Sequence, residues 1–185
     1  MTGRIVIIRK AFLHHQSFID LITPSKTEDQ KESVVETALY HRIVIKAGST
    51  LLTGGGDRLD LKVLASLVEQ IAHLHQKNLQ VTLVSSGAVA AGKHLLGPMK
   101  GDRDIPVRQV LAAVGQGRLM EAYEQFFGRH GVTIAQALIT RRDTIDRLGY
   151  LNIRNTLLAL LEHNGVPIIN ENDVVAVEEL GEGVV

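Results

Sequence analysis

The sequence predicts an α/β protein: a three-layer αβα sandwich built on a mainly parallel sheet. Three observations lead there. Short apolar runs of strand length recur at Arg42–Lys46, Val81–Ser85, Val132–Leu138 and Val166–Asn170. Stretches with helical character lie between them, at Leu59–Gln76, Ala88–Leu96, Ile105–Phe127 and Tyr150–His163. The links between these elements are short, and strand–helix alternation with short links means parallel strands covered on both faces.

Each element has its own reason. Leu61, Val63, Leu64, Leu67, Val68, Ile71 and Leu74 recur at a helical period and give the first helix one apolar face. Ala88–Leu96 is short, apolar and rich in alanine, which favours helix. Pro106 suits the first turn of the long third helix, and Gly128 and Gly131 end it. Inside it, Gly115 and Gly117 each cost roughly 1 kcal/mol against alanine, which points to close packing there. The last run, Val166-Pro167-Ile168-Ile169, delivers Asn170, Glu171, Asn172 and Asp173 to a strand end. Four polar side chains at the end of a buried strand are expensive unless they bind something. In open α/β sheets, ligands sit outside the carboxyl ends of the strands.

Composition narrows the function. Apolar residues are 45% of the 185 and charged ones 22%, ordinary for a globular protein with a real core. Twenty Lys plus Arg balance twenty Asp plus Glu, so no net field draws the chain to nucleic acid or anionic lipid. Aromatics at 4% leave little for base stacking. With no cysteine there is no disulfide, thiolate catalysis or cysteine-held zinc. The eight histidines lack metal spacing. No apolar run has the length of a membrane span, and the N-terminus does not read as a signal peptide, so a cytoplasmic location is expected.

Residues 1–41 read as a separate, unassigned extension, with a polar stretch from Ser25 to Ser33 and an apolar patch around Ile5 to Leu13. The letters RIVI occur at Arg4–Ile7 and again at Arg42–Ile45, too few to be taken as a repeat.

Several motifs suit anions. Lys46 ends the first strand and is followed by Gly48, Ser49 and Thr50: a compact charge, a glycine for close backbone approach, and two hydroxyls. Thr53-Gly54-Gly55-Gly56 reads as a flexible loop able to close over a ligand. Ser85-Ser86-Gly87 ends the second strand and opens a helix, where one serine is expected to cap and its neighbour to bind. From Gly87 to Lys93 the chain nearly spells a nucleotide-binding P-loop. However, His94 replaces the hydroxyl, and Ala88 to Ala91 prefers helix where that loop must stay open. Thr140 to Arg147, with Asn152, Arg154 and Asn155, reads as a salt-bridged surface with some members facing a polar pocket opposite Asn170.

Five segments together resemble the amino-acid kinase family: IVIKAGSTLLTGG, VTLVSSGAVAAGKHLLG, RQVLAAVGQGRLMEAYEQFF, ALITRRDTIDRLGYLNIRNTLLALL and VPIINENDVVAVEEL. They occur in the family's order between about Arg42 and Val177, and the last two single out its glutamate-directed branch. The resemblance implies that fold and transfer of the ATP γ-phosphoryl group to the side-chain carboxylate of L-glutamate. Mg²⁺ would travel with the nucleotide, proline would be feedback inhibitor, and the chain would form a homo-oligomer. By position, Lys46 looks like the lysine that contacts the phosphoryl group. Gly48, Ser49 and Thr50 look like the phosphate-side loop, and Ser86, Asn170 and Asp173 like the glutamate-binding set. The family usually has Gly-Thr-Ser after the lysine, where this chain has Gly48-Ser49-Thr50.

Residues 42–185 are thus expected to be the N-terminal, glutamate-binding part of such a domain. The ATP-binding half, with its second lysine, has no counterpart here, and the isolated chain is expected to be inactive. A non-catalytic remnant that binds glutamate or proline weakly is the alternative, with a P-loop fragment more remote.

Overall fold

The computed structural model describes residues 5–8, 41–97, 99–101 and 104–176. The polar stretch Ser25–Ser33, His14-His15 and Gly181–Val185 lie outside them. The strands are β1 (Ile5–Ile8), β2 (Arg42–Ala47), β3 (Gln80–Ser85), β4 (Ile134–Ile139) and β5 (Val166–Glu171). The helices are α1 (Ser49–Leu52), α2 (Leu61–Gln76), α3 (Ala88–Leu96), α4 (Ile105–Gly128), α5 (Arg141–Ile145) and α6 (Arg147–Glu162).

All pairings are parallel, in the order β1-β2-β3-β5-β4. The expected α/β class and parallel sheet are therefore present, with one strand more than anticipated. Ile5 pairs with Arg42 and Ile8 with Ile45, so the two similar apolar quartets lie side by side at the sheet edge. Four letters are too weak a signal to identify such a strand from sequence. Several boundaries also move: α2 begins at Leu61 rather than Leu59, β4 at Ile134 rather than Val132, and α6 at Arg147 rather than Tyr150. The α6 shift comes from Asp146, whose carboxylate accepts the Gly149 N–H at 2.6 Å and so caps the helix three residues early.

The strand order explains which face each helix takes. Parallel crossovers are right-handed. The connections β2→β3 and β3→β4 run one way across the sheet, and β4→β5 runs back. So α2 and α4 share one face and α6 takes the other. The α2/α4 face is the main core, where Ile43, Ile45, Val81, Leu83 and Ile168 meet Leu64, Leu67, Ile71, Leu119, Tyr123 and Phe127. On the other face a groove of about 330 Å³ runs beside α6, lined by Val44, Thr82, Ile153, Leu157, Leu158 and Ile169 among others.

Local signals start and stop the helices. Asp60 caps α2, its Oδ1 accepting from the Lys62 and Val63 amides at 2.8 and 3.2 Å. Asn78 and Asn164 take left-handed conformations just past α2 and α6 (φ 62° and 56°), a conformation asparagine tolerates better than most residues.

Helices α3 and α4 pack backbone to backbone. A Cβ on Gly115 would run into the Ala88 carbonyl oxygen and the Gly92 amide, and one on Gly92 into the Leu111 carbonyl. Gly117 is exposed, and a methyl group there would meet open space, so the close packing expected for both α4 glycines holds only for Gly115.

Helix α4 also grips two strand ends through polar bonds. Tyr123 lies fully buried with its hydroxyl 2.8 Å from Ser85 Oγ. Ser85 Oγ donates to the Ser86 carbonyl at 3.0 Å, so the proton of the first bond comes from tyrosine. Two turns earlier, Gln116 Oε1 accepts from Asn170 Nδ2 at 2.8 Å. The Gln116 Nε2 group is buried without a partner, a desolvation penalty of about 1–3 kcal/mol.

Substitutions at the two α4 glycines separate close packing from helix propensity. Gly115→Ala should destabilise by about 2 kcal/mol or more through overpacking, whereas Gly117→Ala should be neutral or stabilise by up to ~1 kcal/mol through helix propensity. Urea midpoints at unchanged slope measure both, and equal effects at the two sites would contradict the packing described. Tyr123 sets a pH limit. Burial pushes its hydroxyl well above the usual range, against a smaller opposing pull from the Ser85 bond. In the unfolded chain it ionises near pH 10, so its contribution is complete below about pH 10 and is lost as pH rises further. Above that pH, stability should fall more steeply in the wild type than in Tyr123→Phe. Parallel curves would refute it.

Candidate active site

Three strands end at the same edge of the sheet. After β2, Gly48 is the N-cap of the one-turn helix α1. After β3, Ser86 and Gly87 lead into α3, and the Ser86 amide donates to the Ala47 carbonyl at 3.0 Å, tying the two strand ends together. After β5, residues 172–176 form a turn held by the Asn172 carbonyl, and Gln109 Nε2 of α4 donates to the Val174 carbonyl at 3.1 Å. Between these ends lies a cleft of about 400 Å³.

The cleft brings together five of the seven residues picked from sequence: Ser49, Thr50, Ser86, Asn170 and Asp173. Lys46 and Gly48 are not among its lining residues. Strand alternation explains Lys46. Ala47 is buried on the α4 side, so Lys46 projects from the opposite face, where it is exposed. Gly48 has an extended backbone, φ −75° and ψ 162°, that any residue can adopt. The segment from Ser49 is helical rather than an open loop.

Residues 88–96 form the expected helix and not an open P-loop. Other expectations are corrected here. Neither serine caps α3: its N-cap is Gly87, at φ 104°, with no side-chain bond. A side chain at Gly87 would be strained and would crowd Leu52 and Leu59. The glycine run is not a loose lid. Gly54, Gly55 and Gly56 donate to the Leu51, Thr50 and Thr53 carbonyls at 3.0 Å each, forming a compact link to α2. The Thr140–Arg147 stretch is helix-capping machinery. The hydroxyl and amide of Thr140 donate to Asp143 Oδ2 at 2.6 and 2.8 Å, which holds the Asp143 carboxyl below its usual range. Neither that stretch nor Asn152, Arg154 or Asn155 lines the cleft.

The site is electrostatically mixed. The first turn of α3 opens on it without a side-chain cap, and helix N-termini favour anions. Lys93 and Arg108 add cationic groups, while Asp57, Glu171 and Asp173 add carboxylates. Arg108 and Asp57 were missed in the sequence, and Lys93 was noticed only as part of the false P-loop. Arg108 lies in the first turn of α4, its amide donating to the Asp104 carbonyl at 3.0 Å. The visible signal was Pro106, which starts α4 where Arg108 falls beside the strand ends. Asn170 is 7% exposed, with Oδ1 accepting the Glu171 amide at 2.9 Å and Nδ2 bound to Gln116. Among the described residues no three histidines or carboxylates gather in a way that could hold a metal ion, and no helix is long and apolar enough to cross a membrane.

The chain is similar to several curated proteins named glutamate 5-kinase. It is 54% identical over 141 residues to the one from Dehalococcoides mccartyi, an overlap covering 76% of this chain and 38% of that protein. The Herpetosiphon aurantiacus protein is 51% identical over 145 residues, covering 78% and 39%. The Syntrophus aciditrophicus protein is 46% identical over 152 residues, covering 82% and 39%. The chain thus spans about two fifths of the length of these relatives. Residues 41–184 match the amino acid kinase family, and with the parallel α/β fold and the strand-end cleft this shows that the chain belongs to the amino acid kinase family.

Proposed function

We propose that this chain carries the acceptor side of a glutamate 5-kinase. In that reaction the γ-carboxylate oxygen of L-glutamate attacks the γ-phosphorus of ATP, the bond to the β-phosphate oxygen breaks, and glutamyl 5-phosphate and ADP form. This would be the first step toward proline. The observation that carries the reading is the cleft's mixed charge at the strand ends. Glutamate has one ammonium and two carboxylates. Carboxylates such as Asp173 suit the ammonium, while Lys93, Arg108, Ser86, Asn170 and the α3 N-terminus suit the carboxylates. The similarity to proteins named glutamate 5-kinase supports the same substrate.

Lys46 is the proposed phosphoryl-contacting lysine, with Ser49 and Thr50 on the phosphate side. Lys46 projects from the α6 face while Ser49 and Thr50 line the cleft, so in this proposal the donor phosphates lie across the end of β2, at the rim of the cleft. Phosphoryl transfer asks the protein for alignment and charge neutralisation more than covalent help. Mg²⁺ arrives with ATP as part of the substrate. Residues 42–185 form the glutamate-binding part, and residues beyond the matched region hold the nucleotide. Proline, a smaller zwitterion with one carboxylate, is the feedback ligand of the same pocket, and the working enzyme is a cytoplasmic homo-oligomer.

Titration calorimetry on the purified 185-residue chain should show glutamate binding without glutamate-dependent ADP release. ADP release would refute the division of labour, and no glutamate binding would refute the assignment of the pocket. In the complete enzyme, Lys46→Ala should lower kcat by at least ~100-fold, about 3 kcal/mol of transition-state stabilisation, and leave KM for glutamate nearly unchanged. An unchanged kcat would remove Lys46 from the mechanism.

A further inference from the structure

We infer that Gln116, which does not itself line the cleft, is a positioning residue: it locks the Asn170 amide in the orientation that the Glu171 backbone N–H selects, and so holds Asn170 as a hydrogen-bond donor to the ligand. The inference rests on the cleft being the glutamate pocket.

The argument begins with a group that cannot turn around. The Glu171 backbone N–H can only donate, and its acceptor is Asn170 Oδ1 at 2.9 Å. That fixes Oδ1 and therefore Nδ2. Nδ2 lies 2.8 Å from the Gln116 side chain, so Gln116 must present its oxygen there. Its own Nε2 is then turned away, and it is this atom that is buried without a partner. Reversing Gln116 would set two donors against each other. The orphaned amide is thus the consequence of holding Asn170 in one orientation. A buried unsatisfied group in a native fold calls for such an explanation.

The consequence reaches the cleft. Asn170 is 7% exposed and lines the cleft, and its amide oxygen is occupied by the backbone. One N–H of Nδ2 goes to Gln116, and the second remains as the donor that Asn170 can offer a ligand, beside one lone pair of Oδ1. A fixed donor suits a carboxylate oxygen. Without Gln116 the Asn170 side chain keeps only its short local bond and becomes free to rotate.

Gln116→Met tests this, because methionine nearly conserves volume and lacks the acceptor. Two readouts are needed. The first is side-chain amide NMR of the ligand-free chain. The Asn170 NH₂ pair should exchange slowly with solvent in the wild type and faster in Gln116→Met. Unchanged exchange, or fast exchange already in the wild type, overturns the inference alone. The second is glutamate affinity. Kd should rise by at least about tenfold, the scale of one lost charge-assisted hydrogen bond, while the melting temperature stays level or rises because the orphaned amide is gone. A lower melting temperature with unchanged Kd would mark Gln116 as purely structural and overturn the proposal. In an Asn170→Ala background, Gln116→Met should have no further effect on Kd, and an additive effect would equally overturn it. Failure of the wild type to bind glutamate, with Asn170 still ordered by Gln116, would instead sink the functional reading and the ligand half of this inference with it.

Discussion

The arrangement of the cleft depends on the backbone contact between α3 and α4 at Gly92 and Gly115. No side chain separates the two helices there. The distance between them is therefore set by main-chain atoms and cannot be relaxed by a rotamer change. One helix opens its N-terminus on the cleft, and the other supplies Arg108, Gln116, Tyr123 and Gln109. Close approach brings those groups within reach of the strand ends. A wider spacing would leave Asn170 and Ser85 without the partners that satisfy them.

The polar anchors of α4 divide the work. Tyr123 fixes the end of β3 from inside the core, and Gln116 fixes the end of β5. The first bond is buried and the second partly so, and away from water a hydrogen bond is strong and an unmet one is costly. The two strand ends are therefore held by one rigid helix rather than by loops. A ligand placed between them meets a preorganised surface and loses less free energy to ordering.

Much of this was legible in the sequence. Strand and helix periods revealed the α/β class because the buried positions repeat strictly, as in Leu64, Leu67, Val68, Ile71 and Leu74. The polar cluster after Ile169 pointed to the site because such groups are expensive at a buried strand end. The rest depended on geometry that one-dimensional patterns do not carry. Lys46 was placed by its neighbours in sequence, yet strand alternation turns it to the other face from Ala47. Arg108 lies far from the strand ends along the chain and meets them only because α4 crosses there. Gly115 and Gly117 look alike in the sequence and differ only in what stands opposite them. The capping role of Asp143 and Asp146 was hidden in a run of charges that reads as solvated surface.

The strand order has a consequence for how the molecule is made. β5 sits between β3 and β4, although it follows both in the chain. Until it arrives, neither of its flanking strands has a partner on that side, and two open hydrogen-bonding edges face each other across a gap. The segment that fills the gap is the one that carries Asn170 and Asp173. Ser49, Thr50, Ser86, Lys93 and Arg108 precede β5 in the chain, but without it the cleft lacks its third wall. Closing the sheet and bringing Asn170 and Asp173 to the cleft are therefore one event, so the cleft is complete only in molecules that have already zipped up.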